Sequence, residues 1–336
     1  MNTKTPDAAR CSAALEAAWQ YWRWAADTDE SWTRDYLAGR GMRSLPAGYA
    51  PGGGRRTIGA LRRRGFTDDE LETAGLATRT TSGTLLDTFR DRLVLPVRDR
   101  TSAIVGFTAR RAPTKDEVTG GPKYLNTTST PTYDKSSAWY GMDTHTARKI
   151  TTGAAPVITE GAFDVEAVRR VGANLAPLAS CGTAVTTTQL EQIRALDPSA
   201  LARLVIATDP DNAGRAAARR VWDMLTPAEQ TTARVAVLPG GDPADLIKAG
   251  RTSDLREHLT TGAVPLIHLV IDDALASHDL EHLEGRVAAV RIAAHQIAPT
   301  GAPGAAIAAA YLTTVLAGRL DHTTITTLLL EALTAP

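Results

Sequence analysis

The chain has 336 residues, 43% of them hydrophobic and 22% charged, which fits a globular protein of two or three domains with a full core. No apolar run approaches the roughly 20 residues that cross a bilayer, and the start lacks the apolar centre of a secretory signal. Two cysteines, Cys11 and Cys181, are too few for a zinc site or a disulfide framework. A reducing, cytoplasmic compartment without membrane contact is therefore expected. The net charge of zero hides a split. Residues 1–150 carry 23 Lys and Arg against 17 Asp and Glu, and the remainder carries 14 against 20. A basic half beside an acidic half suits a polyanion laid across the first and processed at the second. The plain alternative is a chance imbalance of surface charge.

Residues 8–27 form an expected helix whose apolar stripe is Leu15, Ala18, Trp19, Trp22 and Ala26. Its aromatics (Trp19, Tyr21, Trp22, Trp24) read as packing rather than base stacking. A second helix follows a Ser31 cap and stops at Gly39 and Gly41, and "LPAGYAPGGGRR" reads as loop. Next come helices over "TIGALRRRG" and "TDDELETAGL", the latter capped by Thr67. From Thr84 the period changes, and "DTFRDRLVLPVRDRTSAIVGFTARRA" predicts two strands around a turn near Arg100–Ser102. Arg90, Arg92, Arg98, Arg110 and Arg111 lie on or beside these strands and read as a phosphate-tracking face. The polar loop "GPKYLNTTSTPTYDKSSAWYG" then carries Lys123, Tyr124, Asn126 and Lys135.

Three fragments between Ala155 and Leu246 share one grammar: "APVITEGAFDVEAV", "ARLVIATDPDNAGRAAARR" and "RVAVLPGGDPADLI". Each is a short apolar run ending in carboxylates and glycine. Strands alternating with helices imply a parallel sheet, whose ligands gather beyond the carboxyl ends of the strands. Glu160, Asp209, Asp211 and Asp242 should therefore converge on one rim, although 82 residues separate the first from the last. Uncompensated carboxylates at close range repel, so a hard divalent cation is the expected partner. Two cations about 3.5–4 Å apart would clamp the attacking and leaving oxygens of a phosphoryl displacement. The plain alternative for each acid is a helix cap or a turn residue. After Gly250 come amphipathic helices, "PLIHLVIDDALASH", "LEGRVAAVRIAAHQI", "AAIAAAYLTTVLAGRL" and "HTTITTLLLEAL". The seven histidines show no ligand spacing.

The Glu-Gly after one strand and the Asp-x-Asp after a later one resemble the Toprim signature. The helix opening "NAGRAAA" fits it too, with Gly214 allowing close approach and Arg215 available to a phosphate. Upstream, "YLAGRGM", "GYAP", "RRRGFTDDELETAGL", "FRDRLVLPVRD", "IVGFTARR", "PKYLN" and "WYGMD" occur in order and resemble the catalytic core of bacterial DnaG-type primases. The stretch "LASCGTAVTTTQLEQI" looks like that family's strand, Gly182-Thr183 turn and helix, with Thr188 and Glu191 as a capping pair. The resemblance covers about residues 32–260.

It implies an α/β fold: a Toprim-type, mainly parallel sheet flanked by helices, preceded by a mixed α+β basic subdomain and followed by a small helical subdomain. The expected divisions are an N-terminal helical extension (1–30), the basic subdomain (31–150), the Toprim domain (151–255) and the helical subdomain (256–336). The resemblance further implies template-directed synthesis of short RNA primers on single-stranded DNA from nucleoside triphosphates. Glu160 would be a metal ligand or the base for the attacking 3′-hydroxyl, and Asp209 and Asp211 would hold magnesium or manganese. Asp164, on the face of Glu160 if the helix begins at once, would support the site, and Asp242 would complete the acidic cluster. Arg90, Arg92, Arg98, Arg110, Lys123, Tyr124, Asn126, Lys135 and Arg215 would hold template or nucleotide. Nothing in the sequence builds the family's zinc ribbon, so a separate zinc module or a replicative helicase is an expected partner. The family's last motif has two aspartates around a proline, but the second place here is Ala244, with Asp245 one residue on. The rival readings are a Toprim-type metal-dependent nuclease and a catalytically weak DNA-binding accessory protein.

Overall fold

The computed structural model describes residues 7–28, 31–115, 121–182 and 184–334. Helix α1 (Ala8–Ala25) is capped by Asp7 and buries the expected stripe. Trp22 is fully buried, edge-on to Phe89 and Phe107, and its Nε1 donates to Thr57 Oγ1 at 3.0 Å. Trp24 departs from the packing expectation: it is 64% exposed. In α2 (Thr33–Gly39) the cap position belongs to Trp32, and the expected cap Ser31 accepts instead from Thr33 N at 3.3 Å, one place earlier.

The glycine-rich stretch expected as loop contains a three-residue strand, β1 (Gly48–Ala50), too short to show alternation in sequence. Gly48 is needed there, since a Cβ would stand 2.8 Å from Trp22 Cβ. Helix α3 (Arg56–Arg62) and helix α4 (Asp68–Thr73) follow, the latter with the Thr67–Glu70 capping box. A hairpin of β2 (Ala77–Arg79) and β3 (Leu85–Asp87) precedes the two expected long strands, β4 (Arg92–Arg98) and β5 (Ile104–Arg111). The polar stretch expected as loop supplies two more strands, β6 (Tyr124–Asn126) and β7 (Trp139–Tyr140). Antiparallel pairing orders the first sheet β1-β4-β5-β6.

The second sheet is mainly parallel. After α5 (Thr144–Thr151) come β8 (Ala155–Thr159), α6 (Ala162–Arg170), β9 (Leu175–Ser180), α7 (Thr187–Leu196) and β10 (Val205–Ala207). Then follow α8 (Asn212–Met224), α9 (Pro227–Thr232), β11 (Arg234–Val235), α10 (Pro243–Lys248), α11 (Thr252–Leu259) and β12 (Val264–Pro265). The strand order is β12-β11-β10-β8-β9-β7, with β8, β9, β10 and β11 parallel and both edge strands antiparallel. β7 comes from ahead of residue 151, so this sheet draws on chain from both sides of the expected boundary. The helical end comprises α12 (Leu266–Ala276), α13 (Leu283–Ile297), α14 (Gly301–Val315) and α15 (His322–Thr334).

The α7 cap is not the expected Thr188–Glu191 pair. Thr186 and Gln189 form the box, because buried Gln189 is pinned by donating to Ala138 O and by the Trp139 indole on its carbonyl. Both frames fit the same string, and tertiary contact selects one. The Thr183 half of the expected turn lies outside the described residues; Gly182 has φ +73°.

Alternation in the strands sorts the core into layers. On β8 and β10, Val157 and Val205 face the core that includes Leu93, Leu95 and Val97 of β4. Ile158 and Ile206 face the opposite core, shared with α12–α15. On β4 itself, Val94 turns the other way, into the α1 core with Trp22 and Phe107. Strand β4 thus stands between two cores.

Buried Asp87 ties this layer to α3, which has no side-chain cap of its own. Its two oxygens accept from Thr57 N at 3.0 Å and Ile58 N at 2.9 Å. Asp87→Ala should therefore leave two buried donors unpaired and cost about 2 kcal/mol or more, read as a lower urea midpoint with an unchanged slope.

Candidate active site

Strands β8 and β10 pair with Thr159 beside Ala207, so the chain leaves both at the same height. Glu160 and the Thr208–Asp209 step follow at once. Glu160 Oε1 accepts from Asp209 N at 3.0 Å, which joins two loops 49 residues apart. Of the four acids expected on one rim, Glu160, Asp209 and Asp242 line a cleft of about 280 Å³, together with Asp164. Asp211 stands beside them as the cap of α8, accepting from Gly214 N at 2.8 Å. Asp242 caps α10, accepting from Asp245 N at 2.6 Å. Capping and a place at the rim are here properties of the same residues.

Asp164 reaches the site differently from the expectation. Helix α6 starts only at Ala162, so Glu160 and Asp164 do not share a helical face. Asp164 sits in the first turn, 7% exposed, and accepts from Gly161 N at 3.1 Å and Ala244 N at 3.3 Å. It fastens the end of β8 to the start of α10. Burial, and then the nearby charge of Asp242, push its carboxyl up to about 8. Burial, followed by the charges of Glu160, Asp242, Asp211 and Asp245, raises Asp209 to about 6.

Two glycines make the geometry possible. A Cβ on Gly214 would lie 2.1 Å from Asp209 O and 2.9 Å from Glu160 Oε1, so only glycine lets α8 carry the Asp209 loop this close. A Cβ on Gly182 would meet Asn126 Nδ2 at 2.3 Å, and the loop after β9 packs directly on the opposite wall.

That opposite wall is cationic and aromatic. Lys123, Tyr124 and Asn126 line the cleft across from the acids, as does Arg40, which sequence reasoning passed over. The Arg40 guanidinium lies over Tyr36 at 5.6 Å and Phe163 at 5.5 Å. Its signal was present in "YLAGRGM", but a lone arginine between glycines carries no periodicity. The remaining expected cations divide. Arg92, Arg110 and Arg111 are buried, so the phosphate-tracking face expected of five arginines is not open at these three. Arg92 donates to the carbonyls of Ala109, Lys123 and Pro122, and Arg111 to that of Gly121. Arg110 donates to Arg111 O and stacks over Tyr36 and Tyr124. Exposed Arg90 donates to Asp87 O, and Arg98 donates to Ser102 O beside a different hollow. Arg215 pairs with Asp273 of α12 at 2.6 Å. Burial pushes up the thiol of Cys181, a cleft residue, and Lys135 is near enough for its charge to offset a small part of that rise.

The acids fit a hard divalent cation by chemistry. Among the described residues none of Glu160, Asp164, Asp209, Asp211, Asp242 and Asp245 is in an ion pair. No three of them stand at ligand spacing either, since most turn to a backbone N–H instead. Ala244 is fully buried, with its N–H on Asp164, and Asp245 adds to the field at Asp209.

These raised carboxyls bind protons more tightly in the folded chain than in the unfolded one. Their contribution to stability is therefore largest at low pH and is lost as pH rises through about 6 and then about 8. In chelator the melting temperature should fall from about pH 4 to about pH 8. Millimolar magnesium should restore it, and Asp164→Asn should flatten the upper part of the fall. Gly214→Ala should abolish the magnesium response, because the Asp209 loop must shift.

Comparison with known proteins agrees with this geometry. Residues 22–146 match the family described as DNA primase catalytic core, N-terminal domain, and residues 157–247 match the Toprim-like family. The DNA primase of Mycobacterium tuberculosis is 38% identical over 296 residues, covering 84% of this chain and 45% of that protein. That of Streptomyces coelicolor is 34% identical, covering 84% and 44%. The chain thus spans somewhat under half the length of these relatives. The crystal structure of the RNA polymerase domain of Mycobacterium tuberculosis primase DnaG, in complex with a double-stranded DNA oligomer with a 6-nucleotide overhang, superposes with TM-score 0.78. Identity there is 34%, over 93% of this chain and 98% of that one. A DNA primase domain from Pseudomonas aeruginosa gives TM-score 0.73 at 27% identity, over 95% and 99%. Among the described residues no helix is long and apolar enough to cross a membrane. By the arrangement of its sheets, the acids on its rim and its match to these domains over nearly its whole length, this chain belongs to the family of DnaG-type DNA primase catalytic cores.

Proposed function

We propose that the chain synthesises short RNA primers on a single-stranded DNA template from nucleoside triphosphates. The observation that carries this reading is the cleft itself. Unpaired carboxylates form one wall, and Arg40, Lys123, Tyr124 and Asn126 form the other. A polyanionic substrate bridges such walls only with cations on the acidic side, as a Toprim-type rim requires.

Glu160, Asp209, Asp211 and Asp242 would hold magnesium or manganese. Bound there, the cation would neutralise charge developing on the α-phosphate while a 3′-hydroxyl attacks and pyrophosphate leaves. Glu160 also lies where it could take the proton of that hydroxyl. Asp164 acts on position, holding Gly161 and Ala244 together beneath the rim. Lys123 and Arg40 meet phosphate oxygens, and Tyr124, with Phe163 at 6.4 Å behind it, offers a ring to a base. Lys135, whose charge reaches Cys181 in the cleft, would extend its reach along the template, and exposed Arg90 would add a phosphate contact farther off. Asp245 lies one residue beyond Ala244 in the first turn of α10 and adds its charge to the rim.

The test supplies single-stranded DNA, labelled nucleotides and magnesium or manganese, and resolves the products by length. The expected outcome is ladders of short RNA, reduced at least about 100-fold in Glu160→Gln with DNA binding retained. Loss of the DNA without added nucleotides, or RNA yield untouched by Glu160→Gln, would overturn the reading.

A further inference from the structure

The Thr208–Pro210 step that carries Asp209 has open space on two sides. The acidic cleft lies on one. On the other, a hollow of about 350 Å³ is lined by Asp209, Pro210 and Arg215 together with His268, Asp272 and Tyr311 of the helical end. A loop bordered by two openings takes its position from its ends rather than from packing along its sides. One end is β10. The other is α8, whose first turn holds the loop twice: Asp211 accepts from Gly214 N at 2.8 Å, and Thr208 Oγ1 donates to Gly214 O at 3.1 Å. Where α8 stands therefore decides where Asp209 and Asp211 stand.

Helix α8 in turn rests on the helical end. Its buried Ala218, Val221 and Trp222 join the core shared with α12–α15. Two arginines one turn apart reach across as struts. Arg215, nearer the rim, donates to Asp273 of α12 at 2.6 Å, and Arg219 donates to Gln296 of α13 at 2.9 Å. The neighbouring Asp272 is occupied otherwise, accepting from the Tyr311 hydroxyl of α14 at 2.7 Å. The first buried side chain of α8 belongs to Ala218, so the turn that carries Asp211 and Gly214 is fastened to the helical end by Arg215. Arg215 and Asp273 are 37% and 35% exposed, and a pair so open to water adds little to global stability. What it sets is position.

We infer that Asp273 is a positioning residue for the acidic rim: through Arg215 it fixes the first turn of α8, and with it the carboxylates of Asp209 and Asp211. This role rests on the reading of these acids as the holders of magnesium or manganese. The helical end thereby becomes part of the metal site, and Arg215 serves as a strut where the sequence suggested a phosphate contact. Charge and position make different demands here. By charge alone, losing the Arg215 cation beside the acids tightens a divalent ion, and losing the Asp273 anion loosens it. Lost position loosens the ion in both cases.

The test titrates manganese into the intact chain without nucleotides or DNA, and reads free manganese by electron paramagnetic resonance. Asp273→Ala and Arg215→Met should each weaken manganese about tenfold. The double variant should be no worse than either, since all three break one strut. Asp273→Glu should recover most of the loss. Gln296→Ala, which removes the strut one turn farther from the rim, should bind manganese as the parent chain does. Melting temperatures in chelator should stay within about 3 °C of the parent for every variant, which separates displacement from unfolding. Unchanged manganese affinity in Asp273→Ala, tighter binding in Arg215→Met, or equal losses in Gln296→Ala and Asp273→Ala overturns the proposal and leaves the metal reading standing. A parent chain that binds no manganese overturns the metal reading first, and this role with it. Failure of primer synthesis alongside the expected manganese affinities overturns only the polymerase reading, and the role of Asp273 is then upheld.

Discussion

The structure depends on carboxylates held at close range by a parallel sheet, none of them in an ion pair among the described residues. Parallel strands all release the chain at the same edge, so acids placed just past β8 and β10 must meet. What holds the rim together is backbone. Asp209 N supports Glu160, Gly214 N supports Asp211, Asp245 N supports Asp242, and the amides of Gly161 and Ala244 support Asp164. These hydrogen bonds neutralise part of the charge and leave the carboxyls of Asp164 and Asp209 still raised.

The architecture was largely legible because its signals are periodic. Val157 and Ile158 alternate between two cores as a doubly covered strand must, and the helical stripes of α1 and α8 repeat at helical spacing. The acids were legible for a different reason: a carboxylate directly after an apolar run has few structural uses. Even so, the plain and the functional readings were not exclusive, since Asp211 and Asp242 are caps and rim acids at once.

What sequence could not supply is the partner of each polar group. Arg92 and Arg111 carry the same charge as Lys123, yet their donors end on buried carbonyls while Lys123 lies in the cleft. Charge type alone does not say where a guanidinium points. The α7 cap had two valid frames in one threonine run, and only Trp139 and Ala138 decide between them. Strands β1 and β6 have three residues each, shorter than any alternation can reveal. Arg40 is the instructive omission, for it lines the cleft from a short helix with no pattern to announce it.

Strand β4 faces the α1 core on one side and the second sheet's core on the other, and β7 crosses from the first unit to complete the second sheet. The two walls of the acidic cleft are therefore tied together twice, by a core that β4 shares with the second sheet and by a strand that passes from one unit into the other's sheet. A substitution in that shared core reaches both walls at once, although it touches neither.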